Sequence, residues 1–274
     1  MCVENLGPEE NQIFRNTYRR FPVPGGWTGS FLIQCYFGPA ARIRRAIEES
    51  WLIAMEIEYW NSFYRSGGPD REMSGFASSV DQAHEKKGTI IEFGCGDGTD
   101  AIGLARRGWE VIASDGSVEG IEKAKSRARE YSVQDDQLRF SVINVSAPEE
   151  LQKHLQSAQL DSRREPVLIF TRFFLHSLAD EELDTFIIGL SAGVENPITM
   201  AHEFRTPEDS SMPKAFSNHS RIFRSPETVL DAFSKHFEIS KVSLSQGSAR
   251  AVYREDDARV AWVIFSSATR RNHA

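Results

Sequence analysis

The stretch Ile90-Ile91-Glu92-Phe93-Gly94-Cys95-Gly96-Asp97-Gly98-Thr99-Asp100 decides the fold. Its apolar start reads as a buried strand, its glycines as a tight turn and its end as the opening of a helix. Glycine at this spacing lets the backbone take positive φ and lets a ligand lie close on the main chain. The next apolar run, Val111-Ile112-Ala113-Ser114, ends at Asp115 and Gly116. An acid there, about 20 residues past the first glycine, can accept hydrogen bonds from both hydroxyls of a ribose. A dinucleotide fingerprint would place a glycine where this chain has Thr99. Asp97 and Asp100 at the helix start should repel a pyrophosphate and suit a ligand that carries positive charge.

Downstream, strand and helix signals alternate as in a parallel sheet with crossover helices. Helices are predicted over Ala101–Arg107 (closed by Gly108), Val118–Tyr131, Pro148–Gln156, Asp180–Leu190 and Pro226–Phe233. Strands are predicted over Leu138–Val145, Val167–Phe170, Ile198–Phe204, Phe237–Leu244 and Arg259–Phe265. Val167-Leu168-Ile169-Phe170 is an unbroken apolar run of the kind buried on both faces. The last two strands could close the sheet as an antiparallel pair.

The first 80 or so residues stand apart from this alternation. Ala40–Trp60 is helical in pattern, after the turn-rich Phe21-Pro22-Val23-Pro24-Gly25-Gly26-Trp27. The expected division is a helical cap over residues 1–80 and a ligand-binding α/β domain over residues 81–274. The cap either covers the sheet or serves as an oligomerisation arm.

Composition narrows the class. The chain has 274 residues, 40% hydrophobic and 26% charged, and so can bury a large core. A net charge of −7 argues against a nucleic-acid partner, which needs a basic face. Cys2, Cys35 and Cys95 are too few and scattered for a disulfide framework or a zinc site, so no metal is expected. The acidic start (Glu4, Glu9, Glu10) lacks the pattern of a signal peptide, and no apolar run approaches a membrane span. The expected setting is cytoplasmic, with no membrane partner.

The glycine motif, preceded by an acid and an apolar residue, resembles that of the class I S-adenosyl-L-methionine (SAM)-dependent methyltransferases. The resemblance covers Thr89 to the C-terminus. It implies a Rossmann-like fold, with a mostly parallel sheet and an antiparallel last strand, here with an N-terminal helical extension. It also implies SAM as cofactor, held by Glu92, Gly94, Cys95, Gly96, Gly98, Asp100, Asp115 and Gly116. Asn144-Val145 would meet the adenine, unless Asn144 is a turn residue. Other elements resemble a group of these enzymes found near polysaccharide and natural-product genes. They are Trp60-x-x-x-Tyr64, Ser74-x-Phe76-Ala77, Arg172-Phe173-x-x-His176, Glu203-Phe204-Arg205-Thr206 and a later Lys214 with His219-x-Arg221. In such enzymes the N-terminal helix is a lid, which would bring Trp60 and Tyr64 over the site.

The residues after the fourth and fifth strands lie where ligands collect on a parallel sheet. His176 is either a general base or a packed histidine, with Glu203 the next catalytic choice. Arg172 would anchor a carboxylate of cofactor or substrate. Arg205, Lys214, His219 and Arg221 would bind a small anionic acceptor, unless Glu208, Asp209 and Glu227 neutralise them as surface charge. O-methylation of a small anionic or sugar-like metabolite is the first expectation and N-methylation the second. A silent SAM-fold subunit and a nicotinamide-dependent oxidoreductase remain the alternatives.

Overall fold

The computed structural model describes residues 57–66, 72–158, 166–194, 197–215, 221–253 and 256–270. All of them lie in one compact unit, Ile57–Ala274. The expected helix Ala40–Trp60 is described only from residue 57; helical conformation continues there to residue 65. The earlier part of that helix, the Phe21–Trp27 turn and His219 lie outside the described residues.

Among the described residues, seven strands form the main sheet. They are β1 (Thr89–Phe93), β2 (Glu110–Asp115), β3 (Leu138–Val142), β4 (Val167–Arg172), β5 (Ile198–Arg205), β6 (Phe237–Gly247) and β9 (Val260–Arg270). Their order is β3-β2-β1-β4-β5-β9-β6, with β9 antiparallel to both neighbours. The antiparallel last strand is therefore inserted beside β5, leaving β6 at the edge. A two-stranded hairpin, β7 (Val252–Tyr253) with β8 (Asp256–Asp257), joins β6 to β9. Nothing in the local sequence pattern had marked it.

Helices cover both faces. On one lie α1 (Gly75–Gln82), α2 (Thr99–Ala105) and α3 (Val118–Glu130), packing Phe76, Val80, Ile102, Leu104 and Ile121 onto Ile90, Val111, Leu168 and Phe170. On the other lie α4 (Pro148–Ser157), α5 (Asp180–Gly193) and α6 (Pro226–Ser234), packing Leu151, Phe186, Leu190 and Phe233 onto Ile91, Phe93, Ile169 and Met200. The alternating burial of β1 and β4 on two faces follows from the period of two along a strand. It explains why Val167–Phe170 of β4 reads as an unbroken apolar run. Each fully buried Leu, Ile or Phe contributes about 1.5–3 kcal/mol, so this double core dominates the stability. Among the described residues, no helix is long and apolar enough to cross a membrane.

Strand β3 stops at Val142, three residues short of the expected end. There Ile143 N donates to the Asp115 carbonyl at 3.1 Å and Asn144 N to Glu150 Oε2 at 2.8 Å. The chain thus turns into α4 as soon as it clears β2, and the glycine loop and the ends of β2, β3, β4 and β5 form one edge.

Candidate active site

The glycine loop is built as its sequence requires. Gly94, Gly96 and Gly98 take φ of 72°, 55° and 74°. Gly94 N and Cys95 N both donate to the Ser114 carbonyl, at 2.8 and 3.0 Å, which ties the loop to β2. Asp115 is held by the N–H of Gly96 and of Ser117, each at 2.8 Å, so its carboxylate faces the loop at the end of β2. Cys95 is buried, and burial beside Asp115, Glu92 and Asp97 pushes its thiol well above the usual range. It is a packed residue there, not a nucleophile.

Helical residues 57–65 lie over this loop. Asn61 Oδ1 accepts from Ser117 Oγ at 2.8 Å, and Arg65 pairs with Glu119 at 3.4 Å. The Tyr64 ring rests on Gly96 and Gly120; a Cβ at Gly96 would overlap its Oη and Cζ. Burial, with Asp115 and Asp97 nearby, drives the Tyr64 phenol well above its ordinary pKa, so it stays neutral. Trp60 stacks on Tyr64 with centroids 6.3 Å apart. The sequence pointed to Trp60 and Tyr64 but not to Asn61, which is indistinguishable from any exposed helix residue until its partner is known.

The two acids at the start of α2 are already balanced. Arg127 Nη1 lies 2.9 Å from Asp97 Oδ2 and donates to Thr99 Oγ1 at 2.7 Å. Thr99, where a dinucleotide site would carry glycine, thus helps latch α3 onto the loop. Asp100 accepts from Ser74 N at 2.7 Å, from Ser74 Oγ at 3.0 Å and from Arg172 Nε at 2.6 Å. The expectation that both acids present free negative charge to a ligand is therefore corrected. Asp100 is a strut between α1, α2 and β4, and Arg172 is spent on it instead of waiting for a carboxylate. Glu92, 2% exposed, keeps Oε2 without a hydrogen bond among the described residues. Burial, then Asp100, raises its pKa well above the usual carboxylate range.

Beyond β4, Phe173 takes φ 53°, a left-handed conformation that costs a bulky residue free energy. Its ring sits between the guanidinium groups of Arg172 and Arg205, each 5.2 Å away. His176 is buried at 3% exposure, with Arg205 N donating to its Nδ1 at 3.5 Å and Phe173 edge-on at 5.6 Å. Those surroundings suit the packed histidine better than the base.

The expected anion pocket does not form from Arg205 and Lys214. Arg205 Nη1 donates to Asp209 Oδ2 at 2.6 Å, and its Nη2 to Asp256 Oδ2 at 2.7 Å. Lys214 Nζ lies 3.2 Å from Asp209 Oδ2 and donates to the carbonyls of Asp209 and Met212. The neutralising acids are Asp209 and Asp256, both buried, not Glu208 and Glu227. Asp256 lies 51 residues away in sequence, so no spacing could have revealed it. Arg221 is half-buried, and desolvation and Arg205 lower its pKa. Just past β3, Asn144 Oδ1 accepts from Ser146 N at 3.0 Å, the behaviour of a turn asparagine. Val145 is buried beside it.

A family model described as a methyltransferase domain matches residues 70–184, which span α1 through the start of α5. Comparison with curated proteins yields no significant sequence match. Solved structures share the fold at low identity. A SAM-dependent methyltransferase from Anabaena variabilis has 16% identity and TM-score 0.55, over 80% of this chain and 95% of that one. The glycopeptide N-methyltransferase MtfA has 14% identity and TM-score 0.52, over 72% and 96%. The cyclase SpnF has 14% identity and TM-score 0.54, over 81% and 96%. The fold is thus the Rossmann-like class I methyltransferase fold, and it also serves a protein described as a cyclase. The matched methyltransferase domain, not the fold by itself, marks the protein as an enzyme and indicates SAM as its cofactor.

Proposed function

We propose that the protein transfers the methyl group of SAM to a small polar acceptor, with oxygen as the receiving atom. The observation that carries this reading is the junction of Asp115 with the glycine loop. A carboxylate at the end of β2, gripped by Gly96 N and Ser117 N, still has lone pairs for two ribose hydroxyls. Gly94, Cys95, Gly96, Gly98 and Gly116 would line the main-chain cradle, Glu92 would stand behind it, and Asn144 and Val145 would flank the adenine. When bound, the cofactor supplies an electrophilic methyl on a positively charged sulfur.

The chain's own contribution is positioning and exclusion of water. Tyr64 and Trp60 cover the loop, and the acceptor would approach between that helical segment and the loops after β4 and β5. Arg205 and Lys214 are held by Asp209 and Asp256, and Arg221, with His219 two residues before it in sequence, would meet an anionic or sugar-like acceptor. Transfer to an amine is the second reading. It is favoured by the three carboxyl groups of Glu92, Asp100 and Glu203 that surround the single Arg172 guanidinium.

The test is calorimetry with SAM and S-adenosylhomocysteine, followed by a turnover screen of hydroxyl and amine acceptors. Asp115→Ala should weaken both ligands by about 1.5–3 kcal/mol, the range for hydrogen bonds to a charged group. Undiminished affinity in that variant would remove the ribose assignment.

A further inference from the structure

A row of side chains crosses the sheet at the level of the glycine loop. Arg172 on β4, Glu203 on β5 and Trp262 on β9 are register neighbours, on the face that carries α1. Glu203 is 1% exposed. Its Oε2 accepts from the Trp262 indole N–H at 2.6 Å. Its Oε1 lies 3.6 Å from Arg172 Nη1 and accepts no hydrogen bond among the described residues. The indole is itself fixed, with Phe76 at 5.4 Å and the Arg250 guanidinium over its ring at 4.6 Å. A buried carboxyl group hydrogen-bonded on one oxygen, and on the other only ion-paired with Arg172, keeps an unused acceptor at the ligand edge of a parallel sheet, and is arranged to take up a proton.

We infer that Glu203 accepts the proton that the acceptor loses on methylation, and that Trp262 is the positioning residue that aims and tunes it. This rests on the methyl-transfer reading above. The acceptor's O–H bond breaks and its proton passes to Glu203 Oε1. The freed electron pair forms the bond to the methyl carbon, and the old carbon–sulfur pair returns to sulfur. The proton then leaves Glu203 for solvent.

The surroundings fit that task. Burial raises the Glu203 carboxyl from 4.5 to about 7; Arg172 and the Trp262 hydrogen bond oppose the rise, and Asp100 adds to it. A base that titrates near neutrality combines a useful deprotonated fraction with proton affinity. The other charges facing it are accounted for. Glu92 stands behind Arg172 from β1, and Arg250 covers the indole. Arg205, two residues on along β5, is held by Asp209 and Asp256. A sulfonium brought beside Glu203 would lower its proton affinity, so cofactor binding would ready the base before the acceptor arrives.

That coupling gives a test needing SAM alone. Calorimetry of SAM binding, in buffers of different ionisation enthalpy across pH 6 to 9, reads the protons exchanged. The wild type should release a fraction of a proton near pH 7, and Glu203→Gln should release none. In Trp262→Phe, loss of the donor to the ionised carboxylate should move the midpoint of release upward by about one pH unit. Binding with no proton release, release that persists in Glu203→Gln, or an unmoved midpoint in Trp262→Phe would each overturn the inference. Failure of the wild type to bind SAM would instead overturn the methyl-transfer reading beneath it.

Discussion

Two buried histidines make the folded chain sensitive to acid. His202 is fully buried on β5, its Nδ1 2.8 Å from Thr171 Oγ1 and its ring against Phe233 at 4.9 Å. Burial lowers its pKa from 6.5 to about 3, and lowers that of His154, 3.1 Å from Ser141 Oγ, to about 4. Each folded-state pKa lies below its unfolded value, so the unfolded chain takes a proton first as pH falls. The stability contribution is complete above about pH 6.5 and is lost progressively toward pH 3, at up to ~1.4 kcal/mol per pH unit for each ring. His202→Gln keeps a partner for Thr171 but cannot titrate. Its unfolding free energy, measured in urea at pH 4 to 7, should fall less steeply with acid than that of the wild type. Parallel slopes would show that His202 is not a source of the acid sensitivity.

Elements are joined here by charges whose partners are distant in sequence, and this limits what the sequence discloses. The strands and helices were legible because apolar periodicity is local: β1, β2 and β4 and helices α2 to α6 fall where their patterns put them, to within a few residues. Gly94, Gly96 and Gly98 were legible because positive φ restricts residue type at fixed spacing, and Asp115 because it ends the next strand, where Gly96 N and Ser117 N hold it. Asp209 was legible as a neutralising acid for Arg205 and Lys214, but Asp100, Arg172 and Arg205 were not legible as partners of Ser74, Glu203 and Asp256, because pairing across the sequence is settled only by folding. Trp262 reads as one more apolar residue of a buried strand until Glu203 is opposite it. Arg205 illustrates the consequence. It clamps the end of β5 to the 3₁₀ turn Pro207–Ser211 and to the β7–β8 hairpin. Arg205→Ala would leave the buried Asp256 without its cation and Asp209 with Lys214 alone, at a cost of about 3–5 kcal/mol. Chemical denaturation should show that loss while SAM affinity stays within a few-fold of wild type. Unchanged stability with weakened acceptor binding would return Arg205 to the acceptor site.

At the scale of the whole molecule, the ligand edge unites groups from both halves of the sheet and from the helical segment above it, so a bound ligand should stabilise the fold as a unit. A ligand that binds only the native state adds RT ln(1 + [L]/Kd), about 2.7 kcal/mol at a hundredfold excess over Kd. For a chain of this size that corresponds to a rise in Tm of roughly 5–10 °C. SAM and S-adenosylhomocysteine should both produce it in a thermal melt. NAD at the same concentration should not. The reason is the charge already settled at the loop: Arg127 is taken by Asp97 and Arg172 by Asp100, so a pyrophosphate laid on the α2 N-terminus would meet no uncommitted cation from this pair. The cofactor's amino-acid end carries its own opposite charges and needs no such partner. Asp115→Ala should require a higher SAM concentration for the same shift, because the ribose contacts proposed for Asp115 would enter through Kd. An equal rise with NAD would overturn the account of Thr99 and the paired acids, and would restore a dinucleotide as the natural ligand of this loop.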